Sequence, residues 1–290
     1  MRVVLAESFG MCFGVRDAVD LAMRQPDGLL LLGDLVHNPA VQQKLSEAGA
    51  RKLAGGPVEP GSRVMITAHG VSDRRRAELV AARHRIEDAT CPLVRHAHRS
   101  LQRLVQQGYF PVLLGQPGHP EIIGLTEDLR EYALVAGPNS LPDLSRHSHI
   151  GVISQTTQPV ELLLETADAL RSRYPDAVVR CVDTVCQPTK DRQLAARRLG
   201  ARCEVVLVIG GRHSNNTRQL LQACSREGAR AHHIESVRDI DPCWLRRANG
   251  EWVSEVGLTA GTSTPDEVIH SVRAVLERLD QPLIQLVAAA

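Results

Sequence analysis

The chain has 290 residues, of which 43% are hydrophobic and 23% charged, and its formal net charge at pH 7 is only +1. This balance excludes a disordered chain and a basic protein that coats nucleic acid, and the length predicts about two domains or several smaller lobes. With only three Phe, two Trp and three Tyr, the interior must be aliphatic, as in parallel sheets covered by helices.

Short aliphatic segments alternate with amphipathic segments along the chain. The aliphatic segments predict buried strands over Val3–Ala6, Val64–Ile66, Pro111–Leu114, Ile150–Ile153, Val205–Ile209 and Val256–Leu258. The amphipathic segments predict helices over Val15–Met23, Arg74–Arg85, Val94–Gln107, Pro159–Arg173, Thr217–Glu227 and Asp266–Arg278. This alternation predicts an α/β fold with parallel sheets. The Gly- and Pro-rich segment Ala54–Gly61 is predicted to be a surface turn.

Glycine and histidine recur just after three predicted strands, at His69–Gly70, Gly118–His119 and Gly210–His213. Because ligands bind at the carboxyl ends of parallel strands, we expect these loops to meet in one central cavity. The repetition predicts three pseudo-repeated α/β lobes with small parallel sheets, the last with a C-terminal tail, over residues 1–92, 93–181 and 182–290.

The cysteine content indicates a reducing compartment. There are seven cysteines, an odd number, and no Cys-x-x-Cys pair, which is unlike a disulfide framework. The N-terminus reaches an acidic residue, Glu7, too early for a secretory signal, and no apolar run has the length of a membrane span. We therefore expect a soluble cytoplasmic protein.

Three cysteines, Cys12, Cys91 and Cys186, lie in predicted loops that open onto helices. Helix N-termini lower the pKa of a thiol, so we expect thiolates suited to metal ligation or to nucleophilic attack. Their wide separation matches neither a zinc finger nor a ferredoxin-type cysteine run. A site with three cysteine ligands would leave one position open for a substrate. The alternative for any single cysteine is a small buried hydrophobe, and we assign that role to Cys181, Cys203, Cys224 and Cys243.

Other polar residues in the predicted loops suit a diphosphate. Donors are available from His37, His69, His119, Ser214, Asn216 and Ser263. The alternative for a single loop histidine is a solvated or capping residue. No Walker-type loop or Rossmann glycine fingerprint is present, which disfavours a nucleotide. Glu121 is the candidate acid, with an exposed helix-terminal glutamate as the alternative, and Thr156 could relay a proton.

A series of motifs, colinear over about residues 1–275, resembles the 4-hydroxy-3-methylbut-2-enyl diphosphate reductases, the IspH or LytB family. The motifs are Gly10–Val15, Leu35–Pro39, Ala68–Ser72, Asp88–Val94, Gly118–Glu121, Gln155–Thr157, Asp183–Cys186 and Thr259–Asp266. The resemblance implies one [4Fe-4S] cluster per chain in the central cavity. Its implied ligands are Cys12, Cys91 and Cys186, which would leave the fourth iron open.

The implied reaction is the reductive dehydroxylation of 4-hydroxy-3-methylbut-2-enyl diphosphate to isopentenyl and dimethylallyl diphosphates, the last step of the non-mevalonate pathway. Ferredoxin or flavodoxin would donate the electrons, and no nucleic-acid or membrane partner is expected. The resemblance further implies that Glu121 with Thr156 delivers a proton. It also assigns the diphosphate to His37, His69, His119, Ser214, Asn216 and Ser263.

The chain departs from the family pattern at three places. Met11 stands where Phe is usual, Asn215 replaces a usual Ser, and Gln187–Pro188 is unusual after the third cysteine. Asn215 can still donate a hydrogen bond to the substrate. We therefore expect this replacement to change the affinity for the diphosphate and not the type of reaction.

Three alternatives remain open at this stage. The first is a zinc or mononuclear-iron hydrolase acting on a diphosphate, because Cys and His also bind such metals. The second is a non-catalytic binding or sensor protein, although Glu121 and Thr156 argue against it. The third is a diverged copy that serves a specialised isoprenoid pathway.

Overall fold

The computed structural model describes residues 1–53 and 58–279. Four residues of the predicted surface turn Ala54–Gly61 lie outside the described residues, as does the predicted C-terminal tail from 280 onward. The described residues form an alternating series of strands and helices.

The strands are β1 (Arg2–Leu5), β2 (Leu30–Leu31), β3 (Arg51–Lys52), β4 (Arg63–Ile66), β5 (Arg85–Asp88), β6 (Phe110–Leu114), β7 (Ala133–Val135), β8 (His149–Ser154), β9 (Val178–Cys181), β10 (Val205–Ile209), β11 (Arg230–Ile234) and β12 (Glu255–Ala260). The α-helices are α1 (Phe13–Arg24), α2 (Pro39–Glu47), α3 (Asp73–Ala81), α4 (Pro92–Gln106), α5 (Pro120–Thr126), α6 (Val160–Arg173), α7 (Gln187–Arg202), α8 (Asn215–Arg226) and α9 (Asp266–Leu276). Short 3₁₀ helices span Pro138–Ser140, Val237–Asp239 and Pro242–Leu245.

The strands form three four-stranded sheets whose pairings are all parallel. Their strand orders are β1-β12-β10-β11, β3-β2-β4-β5 and β7-β6-β8-β9. The predicted α/β class with small parallel sheets is confirmed. No helix of the described part of the chain is both long and apolar enough to cross a membrane.

The chain divides into two compact units. The middle unit is Met11–Asp191 and holds two of the sheets, whereas the terminal unit joins Met1–Gly10 to the chain from Arg192 onward and holds the third. One pairing differs from the predicted lobes: β1 lies beside β12, with Val4 opposite Gly257, and not in a sheet with residues 11–92. Its Val3 and Leu5 side chains pack into the apolar core of the terminal unit. The lobe boundaries at residues 92 and 181 and the central cavity remain predictions.

Aliphatic packing orients the helices that carry the site residues, as α4 illustrates. Val94, Ala97, Leu101 and Leu104 recur at helical spacing and are buried, the latter three against β6 and β8 residues. Each buried leucine contributes about 1.5–3 kcal/mol. Pro92, at the first helical position, favours helix initiation there because it needs no backbone donor. This packing fixes the start of α4 and hence the position of Cys91.

The sequence pattern missed strands β2, β3, β5, β7, β9 and β11, and helices α2, α5 and α7. Five of these strands are sheet edges, where one side of the strand lacks a partner and charged residues such as Arg51 and Lys52 are tolerated. Helix α3 ends at Ala81 and not at the predicted Arg85. Arg83 adopts a left-handed conformation, with φ of 57°, and the chain then enters β5.

Candidate functional site

The three candidate cysteines each immediately precede a helix. Cys12 and Cys91 are the N-cap residues of α1 and α4, and Cys186 precedes the first residue of α7. Neither N-cap thiol forms a side-chain capping bond, and all three cysteines are free of disulfides. The prediction that they lie where loops open onto helices is confirmed.

Tertiary contacts in the middle unit position Cys91 and Cys186. A Cβ atom added to Gly14 would lie only 2.5 Å from Cys91 Sγ, so the first turn of α1 packs directly on the Cys91 thiol. The backbone N–H of Cys186 donates to the Thr156 carbonyl at 3.0 Å. The negative charge of a Cys12 thiolate raises the pKa of both Cys91 and Cys186. The three helix starts therefore share one electrostatic environment.

The expected lowering of the thiol pKa is wrong for two of the three cysteines. Burial raises the pKa of Cys91, although the backbone N–H groups of Leu93 and Val94 oppose the rise. Burial raises the pKa of Cys186 to about 11, against hydrogen bonds from Thr189, whose Oγ1 lies 3.0 Å from the sulfur. Loss of solvation outweighs the helix N-terminus here, so a positive charge must be supplied before these thiols ionise at neutral pH.

Three histidines form a cluster within the middle unit. The ring centroids of His37 and His69 are 4.6 Å apart, and His119 lies 5.2 and 5.3 Å from them. His37 lies just before α2, His69 follows β4, and His119 is the N-cap of α5, where its Nδ1 accepts the Glu121 N–H at 3.2 Å. Burial, followed by the charges of His37 and His119, holds the pKa of His69 well below 6.5. The His69 ring is therefore neutral at pH 7.

Glu121 is a buried acid held by two hydrogen bonds from one residue. Its side chain is 2% exposed, and Thr156 donates its backbone N–H to Oε1 at 2.7 Å and its hydroxyl to Oε2 at 3.0 Å. Burial raises the pKa of Glu121 to about 7, although both bonds from Thr156 lower it. The residue lies in the first turn of α5. An exposed glutamate at a helix N-terminus is excluded by its burial.

The terminal unit holds a second group of predicted site residues at the ends of two paired strands. Ile209 and Ala260, at the ends of β10 and β12, lie opposite each other in the sheet. Ser214 follows β10 as the N-cap of α8, and its hydroxyl accepts the Thr217 N–H at 3.3 Å. Asn216 Oδ1 accepts the Thr262 N–H at 3.0 Å, which ties the two loops together.

The polar atoms of this second group are buried yet incompletely paired. Ser214, Asn215, Asn216 and Ser263 are at most 6% exposed. Within the described residues, Asn216 Nδ2 has no hydrogen-bond partner although it is buried. A buried donor without a partner costs about 1–3 kcal/mol, so a ligand that accepted its hydrogen bond would recover that energy.

Several contacts at these sites were not anticipated from the sequence. Thr189, three residues after Cys186, has the spacing of a helix-capping residue and could have been found from it. Gly14, in Cys-x-Gly, marks the close approach to Cys91. Of the cysteines assigned as small hydrophobes, Cys203 and Cys224 are buried and Cys181 is half-buried. Cys243 is exposed, so that assignment is wrong for it, because it lies in a short 3₁₀ helix at the surface.

The protein combines parallel sheets with free thiols, clustered histidines and a buried acid whose pKa is near neutrality. This combination defines it as an α/β enzyme. The model of the LytB protein family matches residues 3–277. The chain therefore belongs to the LytB family, and it is an oxidoreductase of that family.

Relatives from distant bacteria match nearly the whole chain. A 4-hydroxy-3-methylbut-2-enyl diphosphate reductase of Geotalea uraniireducens is 34% identical, and the alignment covers 97% of this chain and 99% of that protein. The enzymes of the same name from Dehalococcoides mccartyi and Aquifex aeolicus are 36% and 31% identical, with 96% of this chain covered in each case and 99% and 96% of those proteins.

Solved structures agree on the fold. The E-1-hydroxy-2-methyl-but-2-enyl-4-diphosphate reductase of Plasmodium falciparum superposes with a TM-score of 0.87 over 96% of this chain and 89% of that one, at 24% identity. A structure of (E)-4-hydroxy-3-methyl-but-2-enyl diphosphate reductase, described as the terminal enzyme of the non-mevalonate pathway, is 31% identical. Its TM-score is 0.67, with 96% of this chain and 100% of that chain covered.

Proposed function

We propose that the protein reduces 4-hydroxy-3-methylbut-2-enyl diphosphate to isopentenyl and dimethylallyl diphosphates, the last step of the non-mevalonate pathway. The names of the relatives support the substrate. The observation that carries the proposal is Glu121, a buried carboxyl with a pKa of about 7 in the same unit as three free helix-terminal thiols. This pairing suits a reaction that needs both a proton and a redox cofactor.

The donor set fits a [4Fe-4S] cluster, one per chain, with Cys12, Cys91 and Cys186 as its ligands. All three thiols are free and stand at the starts of helices, and Cys12 acts by charge on both Cys91 and Cys186. The lack of a Cβ at Gly14 leaves room beside the Cys91 sulfur. When bound, the cluster supplies electrons and an iron without a protein ligand.

Each unit, taken by itself, offers donors that suit the diphosphate of the substrate. The middle unit contributes the ring nitrogens of His37, His69 and His119. Of these, His69 is neutral in the free protein and can take up a proton beside an anion. The terminal unit contributes the hydroxyl and amide groups of Ser214, Asn215, Asn216 and Ser263. The Asn216 Nδ2 donor supports this assignment because it is buried without a partner among the described residues.

Glu121 supplies the proton that converts the departing hydroxyl into water. A carboxyl with a pKa of about 7 is protonated in about half of the molecules at neutral pH, and it is strong enough an acid to give the proton up. Thr156 fixes both carboxyl oxygens, so the proton is offered from a defined position. The overall reaction takes up two electrons and two protons and releases one water.

The remaining parts of the proposal are the electron donor and the compartment. Ferredoxin or flavodoxin would deliver the electrons one at a time, and a cytoplasmic enzyme with free cysteines would encounter both. The free state of all the cysteines is compatible with a reducing environment.

The proposal is tested by anaerobic purification followed by metal analysis and turnover. We expect about four irons and four acid-labile sulfides per chain. With a chemical reductant the holoenzyme should convert the allylic diphosphate into the two isomeric products. Stoichiometric zinc without sulfide, or release of phosphate without any reductant, would overturn it.

One observation favours a second candidate, a hydrolase with a single zinc or iron ion. The ligand atoms of His37, His69 and His119 lie within 4.8 Å of one another, which is a spacing that one metal ion can bridge. The two candidates differ in what binds these histidines. If the protein is a hydrolase, the wild type should hold one ion per chain and a His119→Ala variant should lose it. If it is the reductase, the same variant should bind diphosphate more weakly with unchanged metal content.

A further inference from the structure

Helix α4, which starts immediately after Cys91, carries an unusual run of positive charge. Its 15 residues include no Asp or Glu, whereas Arg95, Arg99 and Arg103 recur every four residues. Residues four apart lie on the same side of a helix, so the three guanidinium groups share one face. We call Arg95, Arg99 and Arg103 the arginine face.

Most of the charge on the arginine face is not neutralised by neighbouring acids. Arg95 lies 3.0 Å from Asp88, but that carboxylate also contacts Arg76 at 2.7 Å. Arg99 and Arg103 are exposed, and neither side chain forms an ion pair within the described part of the chain. Two of the three guanidinium groups on this face therefore carry charge that no acid of the described residues neutralises.

A surface cavity of about 260 Å³ adjoins this face. Arg76, Arg95 and Arg99 line the cavity, against two acids, Asp73 and Asp88. Thr90 forms part of its wall and directly precedes Cys91. The positive surface and a proposed cluster ligand are therefore neighbours along the chain and in space.

The spacing along α4 places the arginine face near Cys91 but not on it. At 1.5 Å per residue, Arg95, Arg99 and Arg103 lie about 6, 12 and 18 Å along the helix axis from Cys91. A protein that covered this face would approach the cluster closely without entering the substrate site. Electron transfer needs such proximity, because its rate falls steeply with distance.

We propose that the arginine face is the docking surface for an acidic electron-carrier protein. The inference rests on the proposed function, because only a redox enzyme needs such a partner. Unpaired arginines attract an acidic surface and raise its association rate, and arginine forms bidentate pairs with carboxylates. The paired Arg95 would orient the carrier nearest to Cys91, and the exposed Arg99 and Arg103 would steer it.

The test is a charge reversal on the holoenzyme, Arg99→Glu together with Arg103→Glu. A matched control is Arg226→Glu together with Arg278→Glu, since both of these arginines are exposed, belong to the terminal unit and have no ion pair among the described residues. Binding of oxidised ferredoxin and of oxidised flavodoxin is measured by calorimetry at low and at high salt. Turnover is measured with each reduced carrier and, separately, with dithionite.

We expect the double variant to bind both carriers about tenfold or more weakly at low salt, and to lose most of the salt dependence that the wild type shows. Turnover with dithionite should equal that of the wild type, as should binding of inorganic diphosphate. The milder double variant, Arg99→Gln with Arg103→Gln, should bind the carriers with an affinity between those of the wild type and of the charge-reversed variant. Such a graded loss of affinity separates an effect of charge from an effect of misfolding. The control pair should bind the carriers like the wild type.

Unchanged carrier affinity in the charge-reversed enzyme would overturn the docking proposal, as would an equal loss in the control pair. Failure of the proposed function gives a different result, because the wild type would then not turn over with dithionite either. A variant that lost turnover with dithionite as well as with the carriers would likewise contradict a role confined to docking.

Discussion

The two compact units contribute different kinds of chemistry to their candidate sites. In the middle unit the candidate residues are titratable and perturbed: burial raises the pKa of Cys186 to about 11 and that of Glu121 to about 7, and lowers that of His69. In the terminal unit the candidates are hydroxyl and amide groups, which carry no charge at any pH near neutrality.

This difference suggests a division of tasks. Burial brings the pKa of Glu121 to about 7, where the acid can hold and release a proton, whereas it makes Cys91 and Cys186 harder to ionise until a positive charge is bound beside them. Groups that only bind a diphosphate gain from being neutral donors held in place, as Asn216 is held by Thr262. Changes at Glu121 and at the three thiols of the middle unit should therefore alter the chemical step, and changes in the terminal unit should alter affinity.

The largest effect is expected from removing a thiol of the middle unit. Cys12→Ser, Cys91→Ser or Cys186→Ser should each lose nearly all iron and sulfide and all reductase activity, because a serine hydroxyl is a poor ligand for iron in a cluster. Metal analysis and the visible absorption spectrum of anaerobically purified protein measure this loss.

Cys181→Ser is the matched control, because Cys181 is also a half-buried, free thiol of the middle unit. It should retain its iron. The ligand assignment is wrong if Cys181→Ser loses as much iron as Cys12→Ser, or if any of the three variants keeps a full complement.

The next largest effect concerns the acid. Glu121→Gln keeps the size of the side chain but removes the transferable proton, so turnover should fall about 10²- to 10⁴-fold with little change in KM. In the wild type, turnover should decline as the pH rises through about 7, since the proton donor is then lost. A rate measurement across pH 6–9 checks both.

Glu127→Gln serves as the control, because Glu127 directly follows α5 but is exposed. It should turn over at nearly the rate of the wild type. Wild-type turnover by Glu121→Gln would show that the proton comes from Thr156 or from water.

A smaller and different effect is expected in the terminal unit. Asn216→Asp keeps the oxygen that accepts the Thr262 N–H, but replaces the buried Nδ2 donor with an oxygen. Lost hydrogen bonding to a charged ligand should raise KM about 10- to 100-fold while the maximal rate changes little. The exposed Asn249→Asp is the control. A large fall in maximal rate with unchanged KM would contradict the division between the units.

The smallest effect is a proton linkage in the histidine cluster. His69 has a pKa well below 6.5 in the free protein and is neutral at pH 7, whereas a bound diphosphate favours its protonated form. Diphosphate binding should therefore take up protons, and affinity should fall by at most about tenfold per pH unit as the pH rises. Calorimetry in buffers of different ionisation enthalpy measures the uptake.

His69→Gln should take up fewer protons than the wild type, whereas the exposed His149→Gln should match it. Equal uptake by the wild type and by His69→Gln would exclude His69 as the source of the linkage.

The sequence predicted central strands well and edge strands poorly. β6, β8, β10 and β12 are nearly continuous aliphatic runs because helices or neighbouring strands bury them on both faces. Edge strands such as β5, with the sequence Arg-Ile-Glu-Asp, carry no such run. Their pairing depends on a neighbour distant in sequence, which a local pattern does not contain.

At the candidate site, the sequence by itself determined which residue types are available and where helices begin. Cys12 and Cys91 before helices, His119 before proline, and the Ser214 cap all follow from local preferences for turns and caps. The family resemblance, carried by motifs in order, is also a property of the sequence alone.

Only the tertiary structure decided the environment of these residues. It placed Glu121 against Thr156, packed Gly14 against the Cys91 thiol, paired β1 with β12, and reversed the expected direction of the thiol pKa shifts. Each of these outcomes depends on burial by segments remote along the chain. Burial changes solvation and therefore pKa, and no local pattern of residues specifies how much water a side chain will lose.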